Sequence, residues 1–542
     1  MLAPNAIEKI IPILKNGCRR ALRMRVPGFP KAYYSGFVLR DTEWFNTWSG
    51  SGSVYRTKSD HTRNVYCDIR VGSQRYDQVT DGGLKDNSDE VESYGHVRVP
   101  IDDRVYDGLR LGLWRLTEAK FREGLSDFNY REAERLTKVD PTSRLHSFSE
   151  LGPLRHVRHD SPHYVDQAKW VRFCKKMSKW MAELPYISSS YVEFDASQQT
   201  KIFVNSENRV IVQHQRIFQL IGTFNKLTKE GVYLDQELVI NCATQDELPD
   251  VRKFKKLALD KYQKLLKLVR ARRIDAFSGP VLLCPGPAGL LFHEAIGHRL
   301  EGSRLLSSGE GQTFKGQLGK PVLNVDLSIR DNPLLKSFNG TKCIGAYDYD
   351  DEGTPAMNAL LVEGGVLREF LNTRAQCLKK KFVPNGHARN AKFQRPISRM
   401  GVTIIEGRKT CSMEALKRMM IRELQRQKKP YGLIVYETSG GETETTNYDF
   451  QAFAGDISYA ALIYPDGREE PVRGVNFVGT PLQALNNVIA VGDIAEIDNA
   501  YCGAESGMVP VTTISPAILL SSLELQAKDE QLVTQYILPR PR

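Results

Sequence analysis

No uninterrupted apolar run in this chain approaches the roughly 18–20 residues that a bilayer-spanning helix needs, so no membrane association is expected. The opening segment, MLAPNAIEKIIPILKNGCRRALRMR, has only short apolar pieces broken by Glu8, Lys9 and Lys15, and it lacks a small-residue cleavage site. It is therefore not expected to act as a secretory signal. No C-x-x-C pair occurs, and the nine cysteines (18, 67, 174, 242, 284, 343, 377, 411 and 502) are scattered and odd in number. That pattern argues against a disulfide framework and for reduced thiols in a cytoplasm. Low-complexity tracts and solenoid-length repeats are missing as well.

What is present is ordinary soluble-protein chemistry on a long chain. Hydrophobic residues at 41% and charged residues at 26% suit a globular protein, and 542 residues exceed what one core organises, so two or more domains are expected. The net charge of +11 has mostly one address. Residues 251–273, VRKFKKLALDKYQKLLKLVRARR, carry ten Lys/Arg and one Asp. Phe254, Leu257, Ala258, Leu265 and Leu268 recur there at helical spacing, which makes an amphipathic helix with a basic outer side. Such a side is usually a solvated face. The competing reading is an anion-, peptide- or nucleic-acid-attracting surface, but no nucleic-acid module accompanies it.

Patterning then sets the organisation. A Tyr-, Phe-, Val- and Thr-rich stretch after the first helix predicts a strand meander, and residues 101–136 and 162–184 read as helices. YVEFDAS, KIFVNSENRVIVQHQ and GVYLDQELVI predict a second meander. The break at DAFSGP places a domain boundary near Ala276. Beyond it come a strand (PVLLCP), a Pro/Gly turn, a motif-bearing helix, hairpins at EGG and PDG, and the helix SMEALKRMMIRELQRQ. The expected class is α+β, with two domains (1–275 and 276–542). Each mixes antiparallel β meanders with a few helices, and the motif helix starts the second domain.

The motif is LLFHEAIGHRLEG, residues 290–302. Two histidines four apart on a helix face the same ion, but His293 and His298 are five apart, which splays them by about 140° in a regular helix. They converge on one metal only if the turn between them widens. A single π-type turn would do this, and Gly297 permits the distortion. Glu294 stands where zinc peptidases place their general base. On chemistry alone the third ligand stays open between Glu301, His387 in PNGHARN and Cys502 in NAYCGAESGMVPV; a thiolate would suit zinc.

Seven separated segments agree in order with one family: HEAIGHRLEG, GQTFKGQLGKPV, YDDEGTPAMNALLVEGGVL, VPNGHARN, ISRMGVTIIEG, SGGETE and YCGAESGMVPV. Over most of 279–516 the chain resembles the TldD/PmbA metallopeptidases; the first 275 residues fit only loosely. The retained HEAIGH and late cysteine are similar to the TldD type, the motif-bearing subunit that pairs with a PmbA/TldE-type subunit lacking the metal site. The resemblance implies His293, His298 and Cys502 as ligands of one divalent ion, zinc or alternatively Fe2+, with Glu294 as the base. It makes Glu301 a supporting carboxylate and His387 a cleft-lining residue. It also implies hydrolysis of unfolded or leader-type peptides in an enclosed dimer cavity, as a homodimer or with a TldE/PmbA-type partner. Ser303 departs from the family's usual aspartate after LEG. The rival expectations are a non-catalytic TldE/PmbA-like binding subunit and a nucleic-acid-associated protein acting through 251–273.

Overall fold

Period-two alternation builds the first half: Phe37, Leu39 and Phe45 in strand Ala32–Gly50 point to one face, while Val38 and Arg40 point to the other. The structure, a computed structural model, describes residues 2–84, 96–137, 145–160, 164–307, 309–310, 312–323, 326–378, 382–391, 394–443, 445, 453–479, 481–528 and 532. Of the segments singled out above, Met1 of the opening segment, 162–163 of the second expected helix, Gly311 and Glu444 lie outside these residues. Ala32–Gly50 pairs with Ser53–Val71 through Ser51 and Gly52, whose φ values are 51° and 81°. A turn with both central residues at positive φ follows the twist of the two strands it joins. Ser189–Asn205, Arg209–Leu227 and Tyr233–Cys242 extend the sheet, with His96–Val99 and Leu154–Val157 added, to seven strands. YVEFDAS and the start of KIFVNSEN thus form one continuous strand rather than two.

Four helices cover one face of this sheet: Pro4–Arg23, Asp107–Thr137, Gln167–Glu183 and Val251–Arg270. Ile10, Leu14, Leu113 and Leu116 pack on Phe37, Leu39, Val65 and Val204 at one end. Trp170, Met177, Phe254 and Leu265 pack on Phe194, Phe218 and Phe224 at the other. The basic helix is capped by Asp250, whose side chain accepts from Lys253 N, and it buries Phe254, Ala258, Tyr262, Leu265 and Leu268 as its periodicity requires. The opposite face of the sheet meets the second half. Val38, Tyr66, Phe203 and Ile211 pack there with Tyr349, and Arg40 and Lys201 reach Asp351 at 3.2 and 2.6 Å.

The second half is organised on a thirteen-stranded mixed sheet around the long strand Val509–Ala527. That strand pairs antiparallel with Val488–Cys502 and with Phe277–Leu283, and parallel with Val402–Gly407. Leu282, Ile434 and Leu519 face the helix Met413–Gln427, capped by Ser412; Val281, Leu283, Leu433, Ile518 and Leu520 face the other way, into the core beneath Pro285–Phe292. The expected hairpins are present: Gly364 and Gly365 (φ 53° and 81°) turn between Ala359–Glu363 and Val366–Leu367, and Gly467 turns between Phe453–Ile463 and Glu469–Arg473. The class is α+β, with mostly antiparallel strands and seven α-helices among the described residues. No helix among them is long and apolar enough to cross a membrane.

Candidate metal centre

Helix Pro285–Phe292 starts directly after strand Phe277–Leu283 and lies against Val509–Ala527. Gly289 allows that approach, since a Cβ there would meet Thr513 Cγ2 at 3.1 Å. At its end the helix widens. His293–Gly297 is a π turn, in which the His298 N–H reaches the His293 carbonyl, and a 3-10 turn follows over His298–Leu300. The wide turn brings residue i+5 back above residue i, so the two imidazoles that a regular helix would splay come to one side. Gly297 is required there, because its Cα faces the fully buried Met400 with no room for a side chain. The change of helical pitch frees carbonyl oxygens, and Arg299 Nη1 donates to those of Glu294 (2.7 Å) and Ala295 (3.4 Å).

Cys502 comes from far along the chain, at the end of strand Val488–Cys502, which pairs with Val509–Ala527. His293 Nε2 and His298 Nε2 stand 3.2 and 3.3 Å from its Sγ, and the three donor atoms lie within 4.8 Å of one another. All three residues are buried. A tetrahedral zinc with ordinary bond lengths needs its nitrogen and sulfur ligands about 3.5 Å apart, so this donor set fits such an ion with small outward shifts. Burial alone would push the Cys502 thiol up, but the adjacent His298 and His293 hold it well below its usual range. Burial disfavours charge on the imidazoles too, and the facing thiolate reverses that, raising both. Glu294 is also buried, with Oε2 3.9 Å from His298 Nε2; burial raises its carboxyl against the pull of the two histidines.

Of the other two ligand candidates, neither joins the donor set. Glu301 sits behind His298, accepting from Nδ1 at 3.1 Å and from Arg304 Nε at 2.8 Å. Burial would raise this fully enclosed carboxyl, but His298, Arg304 and Arg399 bring it down to about 2. His387 is fully buried between Asn385 Oδ1 and Asp331 Oδ1, at 2.9 and 3.2 Å, and does not line the cavity; its expected cleft position is corrected. The reason is Asp331, which the Gly401 and Val402 amides and Thr403 also address, so His387 closes a structural knot. Ser303 exchanges hydrogen bonds with Ser398 at 3.0–3.1 Å.

Sequence reasoning missed the arginines. Arg399 donates to the Cys502 carbonyl (2.6 Å), the Gly507 carbonyl (2.8 Å) and Ser506 Oγ (3.0 Å), and its Nε lies 3.7 Å from Glu301. It therefore ties the cysteine loop to the carboxylate behind His298. Arg304 holds Glu301, Glu310 and Glu505 together at 2.8–2.9 Å. Arg399 lies inside a quoted motif segment and Arg304 two residues beyond the end of another, but no spacing rule reveals their partners. The donor set opens on a cavity of about 880 Å³ between strand Tyr233–Cys242 of the first sheet and residues 437–443 and 496–505 of the second half. Lys261 and Lys264 of the basic helix reach Glu437 at its wall, at 2.8 and 2.6 Å.

Residues 278–527 match the family model described as the PmbA/TldA metallopeptidase C-terminal domain. A metalloprotease of Methanothermobacter thermautotrophicus is 24% identical over 86% of this chain and 96% of its own length. A protein of Saccharolobus solfataricus named a zinc metalloprotease TldD homolog is 23% identical over 63% of this chain and 72% of its own length. Alignments with several other curated relatives span about half of those proteins. Among solved structures, TldE from Thermococcus kodakarensis shares the fold with a TM-score of 0.63 at 13% identity, over 96% of this chain and all of that one.

Proposed function

The chain belongs to the TldD/PmbA family, and from that premise we propose that it is a metal-dependent peptidase acting on unfolded or leader-type peptides. The observation that carries the reading is the convergence of His293, His298 and Cys502 beside a buried Glu294 at the wall of a large cavity. His293, His298 and Cys502 would hold the ion; zinc is favoured by the two-imidazole, one-thiolate donor set and by the name of the Saccharolobus relative, with Fe2+ the alternative. When bound, a divalent ion supplies Lewis acidity that polarises the scissile carbonyl.

The chain's own groups do the rest. Glu294 takes the proton from the attacking water and delivers it to the leaving amine, a role its place beside His298 Nε2 allows. Glu301 holds the proton on His298 Nδ1, which leaves Nε2 as the donor atom turned toward Cys502. Strand Val488–Cys502 has no strand partner on its outer edge over 493–502 among the described residues, and much of that stretch lines the cavity. An extended peptide can add there through main-chain hydrogen bonds, which tolerate many sequences. A second subunit, a copy of this chain or a TldE/PmbA-type protein, would close the cavity; the likeness of fold to TldE supports this arrangement.

Glu294→Gln tests the reading. It should retain the ion at native stoichiometry and lower peptide cleavage by about 10²–10⁴-fold. Cleavage at the native rate by the metal-loaded variant would show that Glu294 is not the general base.

A further inference from the structure

The chain carries a net charge of +11, yet its cavity is lined by eight carboxylates against one lysine and one arginine. Neither cation is free: Lys261 is taken by Glu437, and Arg304 by Glu301, Glu310 and Glu505. Asp235, Glu237, Glu442, Glu496 and Asp498 have no ion-pair partner among the described residues, and all but the half-buried Glu237 are exposed to the hollow. A divalent ion held by one thiolate adds a single net positive charge, so the lining stays negative with the centre loaded.

The carboxylates are also spaced. Asp235 and Glu237 are two residues apart on the edge strand Tyr233–Cys242, and Glu496 and Asp498 are two apart on Val488–Cys502. Residues i and i+2 of a strand point to one face about 6.5–7 Å apart, and an extended peptide presents its own side chains at the same interval. We infer that this cavity selects cationic peptide segments, with Lys or Arg at alternate positions meeting Asp235/Glu237 and Glu496/Asp498. The inference rests on the peptidase reading and names the substrate class for that site. Walls of one sign raise the local concentration of the opposite charge, in this cavity by about tenfold or more, and salt screens the effect.

The test uses full-length, zinc-loaded Glu294→Gln protein and three fluorescent ten-residue peptides that carry Lys, Ser or Glu at alternate positions on a common neutral background. Anisotropy should give a Kd about tenfold lower for the Lys peptide than for the Ser peptide, with the Glu peptide weakest and the differences shrinking between 50 and 300 mM salt. Adding Glu237→Gln and Glu496→Gln should bring the Lys and Ser peptides to similar Kd values. Asp235→Asn with Asp498→Asn repeats the test on the other member of each pair. Equal affinities for the three peptides, or a Lys preference that survives both neutralised pairs, overturn the inference. Native protein that cleaves all three peptides equally well leaves the peptidase reading standing and removes the selection. Charge-selective binding without cleavage by native metal-loaded protein does the reverse.

Discussion

One added methyl group tests the physical basis of the metal centre. Gly297 ends the π turn and directly precedes His298. A Cβ on it would stand 2.0 Å from Met400 Sδ and 2.9 Å from Met400 Cε. Ordinary contact between such atoms is about 3.5–4.0 Å, so roughly 1.5 Å must be found. Sδ and Cε end a flexible side chain, but Met400 is fully buried in the core cluster, so swinging its thioether aside displaces packed neighbours. The strain is therefore shared between the core and the turn, and the turn's share moves His298. Overpacking of this kind costs about 1–3 kcal/mol, and a ligand atom tolerates only about 0.2 Å of displacement. Gly297→Ala should lose that much stability by denaturant titration and bind zinc at least about tenfold more weakly in competition with a chromophoric chelator. Gly286→Ala is the matched control. It lies in the first turn of the same helix, with no positive φ and nothing within 4 Å of its added Cβ. It should change stability by less than about 1 kcal/mol, in the stabilising direction. Native zinc affinity and native stability in Gly297→Ala would refute the claim that the wide turn depends on a missing side chain.

Three other outcomes follow from buried groups around this frame. Glu301→Gln takes away the carboxylate that orients His298 and should weaken zinc binding by about 10–100-fold; an affinity within twofold of native would show that the 3.1 Å contact orients nothing. Asp351→Asn leaves Arg40 and Lys201 facing each other without their anion between the two sheets, so denaturant unfolding should report a loss of about 3–5 kcal/mol. Burial opposes the Asp351 charge, but Lys201 and Arg40 outweigh it and hold the folded carboxyl below 3.8. Its contribution is present above that pH and is lost as the pH falls through the depressed folded value, and the Asn variant should lose this acid sensitivity. Asp195 has the opposite sign. Burial, against hydrogen bonds from Trp44 and Asn46, lifts its carboxyl from 3.8 to about 6. The stability it confers is complete below 3.8 and lost as the pH rises through 6, so Asp195→Asn should flatten the stability profile between those values. An unchanged profile would contradict the shift.

Much was legible in the residues because it is decided within a few positions of chain. The apolar spacing of Phe254, Ala258 and Leu265 dictates which side of the basic helix is buried, whatever it packs against. Glycines 364, 365 and 467 mark hairpins because only glycine adopts positive φ without a steric penalty. The five-residue interval between His293 and His298 required a widened turn if the two rings were to share one ion, since a regular helix cannot bring them together. Seven motif segments in order carried the family for the second half, while in the loosely matching first half the continuity of strand Ser189–Asn205 went unrecognised.

Tertiary structure alone decided which third group meets the histidines. Chemistry left Glu301, His387 and Cys502 equally available, and only the family resemblance favoured the cysteine. The selection is made by strand register. Cys502 pairs with Val509, the same long strand carries the helix that holds His293, and Arg399 pins the Cys502 carbonyl, so residues more than 200 positions apart share one point. Asp331 removes His387 into the core by the same kind of distant pairing. The negative cavity inside a positive chain is likewise invisible to composition, because it arises where an edge strand of one sheet faces two strands of the other. Sequence determines what each segment can become through sterics over about five residues. Which side chains then share a site depends on long-range pairing, which no local rule encodes.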